Sequence, residues 1–526
     1  MTQPVVRTES LGGSPLSQAA RAGRLPDWYP SVPRGADDWR THADRVTSSV
    51  DNRWLDALAP AIAASGSAGE RLARSAGGKG AVVTTGQQPG LFGGPLMTLA
   101  KAITARALAD TLEEMTGMPV APVFWAATDD ADFDEAAVVS ISLDDGAHEL
   151  RLESRAPAGT PMSRVPMDDE ITALLPSLRG AAASTAHASF VAAVEQAYRP
   201  GATIGDAYVA VLRDVLQPIG IAVLDASHPC VTQAGARLLR AAAAQAEQVS
   251  AALHMRTEAI RAAGYAPQVE EVPGLSLVFT NEQGIKRRLP IAEALKLAGD
   301  RQLSATVLLR PVLERAILPT LAYVAGPGEI AYFAQVSAVA DALGAERQLV
   351  VPRWSTTIVD ARTQRTLDDF HANVEELADP HAVFTRAARE RLPEGAGQAL
   401  NTLRADTLAG VDRLRGATNG LLSDPVVDGL RRSLEHRLAR TERRLVAAVK
   451  AKEVEVMRRL SAARGSLFPH GVRQERKLAY IPFLARYGPA LVEQLLDAAR
   501  THARSVVAGS PAIPASATQS PQTARR

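Results

Sequence analysis

With 526 residues, 46% hydrophobic and 22% charged, the chain has the composition of an ordinary folded protein with material for more than one structural unit. Its 58 Lys and Arg balance 57 Asp and Glu, which removes any global electrostatic case for binding nucleic acid. A single cysteine, Cys230, excludes an internal disulfide or a cysteine-based metal cluster and reads as a buried structural thiol.

No apolar leader and no run of about 18 uninterrupted apolar residues occurs, so no membrane partner is expected and the cytoplasm is the expected location. Residues 1–35 scatter Pro, Gly and Ser around Trp28 and Tyr29 and read as a partly ordered arm. Residues 36–390 form the core region. Trp54, Leu55, Leu58 and Ile62 recur at helical spacing, and then Ala81 to Thr85 gives a short β-branched run that reads as a buried strand. Gly86-Gln-Gln-Pro-Gly-Leu-Phe-Gly-Gly-Pro95 follows as a turn whose glycines admit close backbone approach to a ligand. A helix from Met97 to Met115 ends before Gly117 and Pro119, and a second strand, Val120 to Ala127, leads into the acidic turn Asp129-Asp130-Ala131-Asp132. The unit is strand, Gly-rich turn, helix, strand, with a ligand crevice expected at the C-terminal strand ends.

Residues 136–166 alternate in short runs broken by Asp-Gly and Ala-Pro-Ala-Gly, the pattern of a small β insertion. Ile171 to Leu216 is mostly helical, Gly220 to Asp225 reads as a central strand, and Ala234 to Ala263 as one long Ala-rich helix. Tyr323-Val-Ala, the turn Gly326-Pro-Gly328 and a helix from Glu329 to Leu343 repeat the strand-turn-helix theme, with a final strand at Gln348 to Pro352. Three strand ends therefore carry polar groups: Gln87 and Gln88, Asp129 to Asp132, and Gly326 to Glu329. Residues 391–464 turn to Arg, Glu, Ala and Leu with apolar spacings of three and four, interrupted at Asn419 to Pro425. An antiparallel helical coiled-coil hairpin results, with arms of roughly 25 to 38 residues, too long to bury its own stripe and so expected to make a homodimer. Residues 465–508 return to the core, and 509–526 read as a disordered tail.

TGQQPGLFGGPLMTLAKAI, PVFWAATDDADFDE, LLRPVLERAILPTLAYVAGPGEIAYFAQ and GVRQER…YIPFLARYG, in that order around a helical hairpin, resemble the cysteine ligase family of bacillithiol biosynthesis, BshC. The resemblance implies an α/β fold, a Rossmann-like parallel-sheet core with inserted connecting segments, plus the coiled-coil domain. It also implies an enzyme joining cysteine to glucosaminyl-malate. Family members read Glu-Asp-His-Asp where this chain has Asp129-Asp130-Ala131-Asp132, so the family histidine is replaced by Ala131.

Amide formation needs an activated carboxyl, a neutral amine and a stabilised oxyanion. Asp129, Asp130 and Asp132 are candidates for the base, an amine receptor or a Mg²⁺ site, since clustered carboxylates raise one another's pKa. Gly86, Gly90, Gly93, Gly94 and Lys101 are the candidates for holding ATP through its phosphates. Gln87 and Gln88 add side-chain donors and acceptors. The malate carboxylates call for arginine forks, for which Arg310, Arg353, Arg473 and Arg476 are candidates. Glu329, Tyr332 and Gln335 roughly share one helix face and complete the substrate set, with Phe333 assigned to the core. A nucleotidyl- or acyl-transferring relative with a changed substrate, or a non-catalytic dimeric scaffold, are the readings left beside the ligase.

Overall fold

The computed structural model describes residues 3–78, 80–153, 156–184, 186–297 and 301–509. The tail from residue 510 therefore lies outside the described residues. Two compact units are present. One draws on the chain up to Ile141, on Glu149–Ile358 and on the segment from Glu475; the other on Ser142–His148 and Val359–Gln474.

The first unit opens with a short strand, β1 (Val5–Thr8), and a helix, Pro15–Arg21. The central strands are β2 (Ala81–Gln87), β3 (Val120–Ala126), β6 (Ala222–Asp225), β10 (Thr320–Ala325) and β11 (Val350–Pro352); the hairpin β4 (Val138–Leu143) and β5 (Gly146–Arg151) stands apart. A second small sheet contains β7 (Leu275–Glu282), β8 (Ile285–Pro290) and β9 (Leu303–Ala305), and β12 (Thr356–Val359) pairs with β1. The central sheet is parallel in the order β11-β10-β2-β3-β6. The chain thus starts in the middle at β2, winds outward through β3 and β6, then crosses to β10 and β11 on the other side. This order puts a topological switch point between β2 and β10, where strand ends leave a crevice.

Both faces of β2 and β3 are covered, which explains why their sequences are continuous apolar runs. Pro122 is tolerated in β3 because β6 pairs with that strand only from Val123 onward, leaving that edge open where the proline has no N–H. Gly220 to Asp225, expected as a strand of the central sheet, supplies β6, which lies at the sheet's edge and pairs with β3 among the described residues. The helix Leu96–Thr116 packs between this sheet and the long C-terminal helix Ile481–Val507. It is buried nearly all round, so even Lys101 on it is 4% exposed. A helix with so narrow a solvent face, at Arg106, Asp110, Glu113 and Glu114, needs small residues elsewhere, and its alanines at 100, 102, 105, 107 and 109 supply them.

The N-terminal arm is also corrected. Its β1 strand pairs with β12, the Trp354 indole N–H donates to Thr8 Oγ1 at 3.0 Å, and Tyr29 donates to the Ile330 carbonyl at 2.9 Å. The expected Ala234 to Ala263 helix breaks at Gln245 into Ala236–Ala244 and Ala246–Ala262.

The second unit is helical. It begins at Val359 rather than near residue 391, because Leu367, Phe370, Val374, Leu377, Val383 and Ala387 share a core with Leu460, Ala463 and Leu467. Its long arms are Ala396–Ala417, of 22 residues, and Asp424–Lys452, of 29. No helix among the described residues is long and apolar enough to cross a membrane.

Candidate active site at the switch point

Lys101 sits one and a half turns into the helix after β2, which aims its side chain back over the end of that strand. Its Nζ donates to the Gly86 carbonyl at 2.7 Å and to Gln87 Oε1 at 3.0 Å, and lies 2.5 Å from Glu329 Oε2. Three acceptors exhaust the ammonium group's donors. Burial pushes the Lys101 amine down, against the pull of Glu329. Glu329 stands in the first turn of the helix Pro327–Ala342 and takes the Gly326 N–H at 2.7 Å and the Tyr323 hydroxyl at 2.6 Å. Burial alone would raise its carboxyl, but Lys101 and these donors outweigh it and hold it below the ordinary glutamate range.

Arg310 extends this network. Its guanidinium donates to Glu314 at 3.0 Å, to the Tyr323 hydroxyl at 3.2 Å and to the Tyr332 hydroxyl at 3.4 Å. Glu314 is fully buried, also receives Thr84 and Gln348, and is pushed up by that burial. Arg353 is 2% exposed and grips Glu475 with a two-bond fork at 2.7 and 2.8 Å. Its Nε is buried with no protein acceptor. That atom would lie 3.8 Å from a Cβ on Gly326, with Lys101 Cε at 3.9 Å and Glu329 Oε2 at 3.4 Å, so the glycine leaves a small polar space.

The end of β3 carries the second cluster. Asp130 takes the Asp132 N–H at 2.8 Å and a hydrogen bond from Gln88; burial raises its carboxyl, and Asp129 adds to the rise. Asp129 is held by Lys286, whose Nζ donates to its carbonyl at 2.8 Å and to Oδ2 at 3.0 Å. Asp132 caps the short helix Phe133–Ala136, accepting from Glu135 N–H at 3.1 Å. The Glu135 carboxyl is raised by burial and by its neighbours Asp132 and Asp130, and Arg476 opposes that rise. The Ala131 carbonyl takes the Phe133 N–H at 3.1 Å. β2 and β3 join here, since Ala127 N–H donates to the Gln87 carbonyl at 3.0 Å.

The geometry therefore brings together Gly86, Gln87, Lys101, Arg310, Glu329 and Tyr332, and beside them Gln88, Asp129, Asp130 and Asp132. Two expectations are corrected. Gln335 spends its amide on the backbone of Val269, at 3.2 and 2.7 Å. The Gly90–Gly94 turn is not an open phosphate cradle: it is buried, and Gly93, Gly94, Leu96 and Thr98 N–H donate to Gly90, Leu91, Leu478 and Pro95 carbonyls. Gly93 and Gly94 are needed for conformation instead. Both have positive φ, and a Cβ on Gly93 would stand 2.5 Å from the Tyr480 hydroxyl. Nor is a protein-only metal cage formed, as no group of three His, Cys, Asp or Glu among the described residues is placed to hold an ion.

Tyr323, Lys286 and Glu475 were missed in the sequence. Lys286 lies 157 positions from Asp129, and nothing local marks it. Tyr323 and Glu475 lie inside motif segments, but only the fold turns them inward. Cys230 is half-buried rather than buried, with His228 Nδ1 at 3.1 Å from its sulfur.

The family model described as Bacillithiol biosynthesis BshC, N-terminal Rossmann-like domain, matches residues 53–298 and 291–354. That described as Bacillithiol biosynthesis BshC, C-terminal coiled-coil domain, matches residues 418–505. This chain belongs to the BshC family. Among its relatives, a protein of Heliobacterium modesticaldum is 31% identical, the match covering 92% of this chain and 91% of the relative. One of Salinibacter ruber is 30% identical over 80% of this chain and 81% of its own, and one of Solibacter usitatus 29% over 90% and 92%. All three carry the name "Putative cysteine ligase BshC". The BshC match to the Rossmann-like domain spans both clusters at the ends of β2 and β3.

Proposed function

We propose that this chain is a cytoplasmic cysteine-adding ligase that forms the amide between cysteine and glucosaminyl-malate in the last step of bacillithiol biosynthesis. One observation carries the reading: an ion-paired network holding Lys101, Arg310 and Arg353 and a carboxylate cluster stand at the ends of adjacent strands, β2 and β3, in a chain of this family. A carboxyl donor suits the first and an amine the second.

In the proposed chemistry, the amine nitrogen attacks a carboxyl carbon already activated as an ester or anhydride; the bond from that carbon to the activating group's oxygen breaks, that group leaves with the bonding pair, and the nitrogen gives up a proton. Asp130 takes that proton; its raised pKa brings it nearer the working pH of a base. Gln87 has its oxygen fixed by Lys101, so its NH₂ is turned away from that contact and offered to a substrate oxygen. Arg353 Nε–H offers a second donor beside Gly326. Exposed Arg476, whose charge acts on Glu135, is the arginine we assign to a malate carboxylate; the forks of Arg310 and Arg353 are engaged within the protein. Asp132 and Lys101 hold the site's shape. The Gly93 and Gly94 N–H groups and the Lys101 ammonium are engaged within the protein, so the account gives these three groups no contact with ATP or Mg²⁺.

We further propose a homodimer through the second unit's hairpin. Leu403, Leu414, Leu421, Val426 and Leu430 are exposed apolar residues on its arms or turn. A changed substrate is the second reading, favoured by Ala131. Isotopically labelled cysteine supplied with glucosaminyl-malate separates the two. A labelled product at the condensation mass supports the ligase; no incorporation under any nucleotide condition favours the changed substrate.

A further inference from the structure

The acidic turn after β3 is held from outside by two segments remote in sequence. Ser163 N–H donates to the Thr128 carbonyl at 3.0 Å and Met162 N–H to the Asp130 carbonyl at 2.8 Å. Between them, the Asp129 carbonyl takes the Lys286 ammonium at 2.8 Å. Three successive carbonyls are thereby fixed, and the backbone that carries Asp129 and Asp130 can shift only by breaking a bond to the neighbouring loop or to the β7–β8 hairpin.

The hairpin is built to deliver that lysine. Gln283 and Gly284 both have positive φ, as a two-residue type I′ turn requires. Lys286 pairs with Asn281 across the ladder, and its own N–H donates to the Gly159 carbonyl at 2.9 Å. Gly159, at φ +83°, has no Cβ where one would come within 3.0 Å of the Lys286 carbonyl and the Ile285 side chain. Above the strand, the ammonium lies 4.8 Å from the centre of the Phe279 ring, a cation–π contact that fixes its approach. The side chain is 10% exposed and its partner Asp129 29%, so water screens the pair only in part.

We infer that Lys286 is a positioning residue for the proposed ligase reaction, acting through Asp129 to hold the Asp130 carboxylate at the end of β3 and to set its charge. The charged groups facing Asp130 are Asp129 and Lys286, with Glu135 alongside. Loss of the lysine would leave Asp130 among carboxylates alone. Its carboxyl would then titrate at a higher pH, so the base would stay ionised over a narrower range of pH.

The inference rests on Asp130 as the base, so its test reads the carboxyl directly as well as the rate. Full-length protein labelled with ¹³C at aspartate carboxyls is titrated as wild type, Lys286→Met and Lys286→Arg, with Asp130→Asn assigning the resonance. The expected result is a higher Asp130 midpoint in Lys286→Met, restored in Lys286→Arg. The acid limb of kcat/KM moves the same way, with the loss of rate greatest on that limb and a melting temperature close to wild type. An unchanged Asp130 midpoint in Lys286→Met overturns the inference. A midpoint that moves while the pH–rate profile stays fixed supports the placement of Lys286 and removes Asp130 as the base, which is a failure of the ligase assignment instead.

Discussion

Lys101 Nζ lies 2.5 Å from Glu329 Oε2, and this contact ties the helix that follows β2 to the helix that follows β10 across the switch point of the sheet. The two side chains are 4% and 18% exposed, so removing either leaves a charge without its partner in a poorly hydrated place. Lys101→Met is expected to lower stability by about 3 kcal/mol. Glu329→Gln costs a comparable amount, and the double variant less than the sum of both. Urea unfolding of the four proteins checks this; additive losses would mean the two groups do not interact.

Acid should reveal the second buried pair. Burial tends to raise the Glu475 carboxyl, but Arg353, Ser355 and the Thr356 N–H lower it further than burial raises it. A depressed folded-state pKa contributes stability that is present above the unfolded value of about 4.3 and lost as pH falls through the folded one. Glu475→Gln should therefore be less stable than wild type near neutrality, with the difference shrinking below about pH 4. Chemical denaturation at a series of pH values reads this; a difference that grows on acidification would reverse the sign.

Two glycines separate conformation from ligand approach. Gly93→Ala places a Cβ at φ +89° against Tyr480 and should cost about 2 to 4 kcal/mol. Gly326 has φ −77° and its added Cβ would meet only ordinary contacts, so Gly326→Ala should change stability by less than about 1 kcal/mol. It fills the space beside Arg353 Nε, however, and should weaken substrate binding by about tenfold. Thermal melts and binding measured on both variants test the distinction; Gly326→Ala with native affinity would remove that space from the site.

Much of this was legible in the sequence, for physical reasons. The runs of β2 and β3 are continuous and apolar because helices cover both sheet faces, and such runs announce themselves. The junctions at Gln87, Asp129 and Glu329 were recognisable as polar residues following apolar strands. What the residues do there was less readable. The glycines of residues 90–94 have the composition of a phosphate loop, but Tyr198 and Tyr480 cover them, and those tyrosines come from distant segments. Arg353 was read as a free fork, while its partner Glu475 lies 122 positions away. The N-terminal arm looked weakly structured because β1 forms a sheet only by pairing with β12.

The helical unit gives a prediction of its own. Leu403 is 52% exposed and Leu430 40%, on the two arms of the hairpin. If a second copy covers them, Leu403→Glu with Leu430→Glu should turn a dimer into a folded monomer, because a buried unpaired carboxylate is strongly disfavoured. Sedimentation velocity at micromolar protein, with circular dichroism as the control on folding, decides it. A monomeric wild type would end the dimer proposal.

The most direct test of the central claim, that the substrates meet at the ends of β2 and β3, is calorimetric titration of the protein with glucosaminyl-malate. Wild type and Gln87→Ala would be compared, with and without nucleotide and Mg²⁺. The account predicts saturable binding to wild type that Gln87→Ala weakens by about tenfold or more while its melting temperature is kept. Equal affinity in the two proteins, or no binding to wild type under any of these conditions, would contradict it.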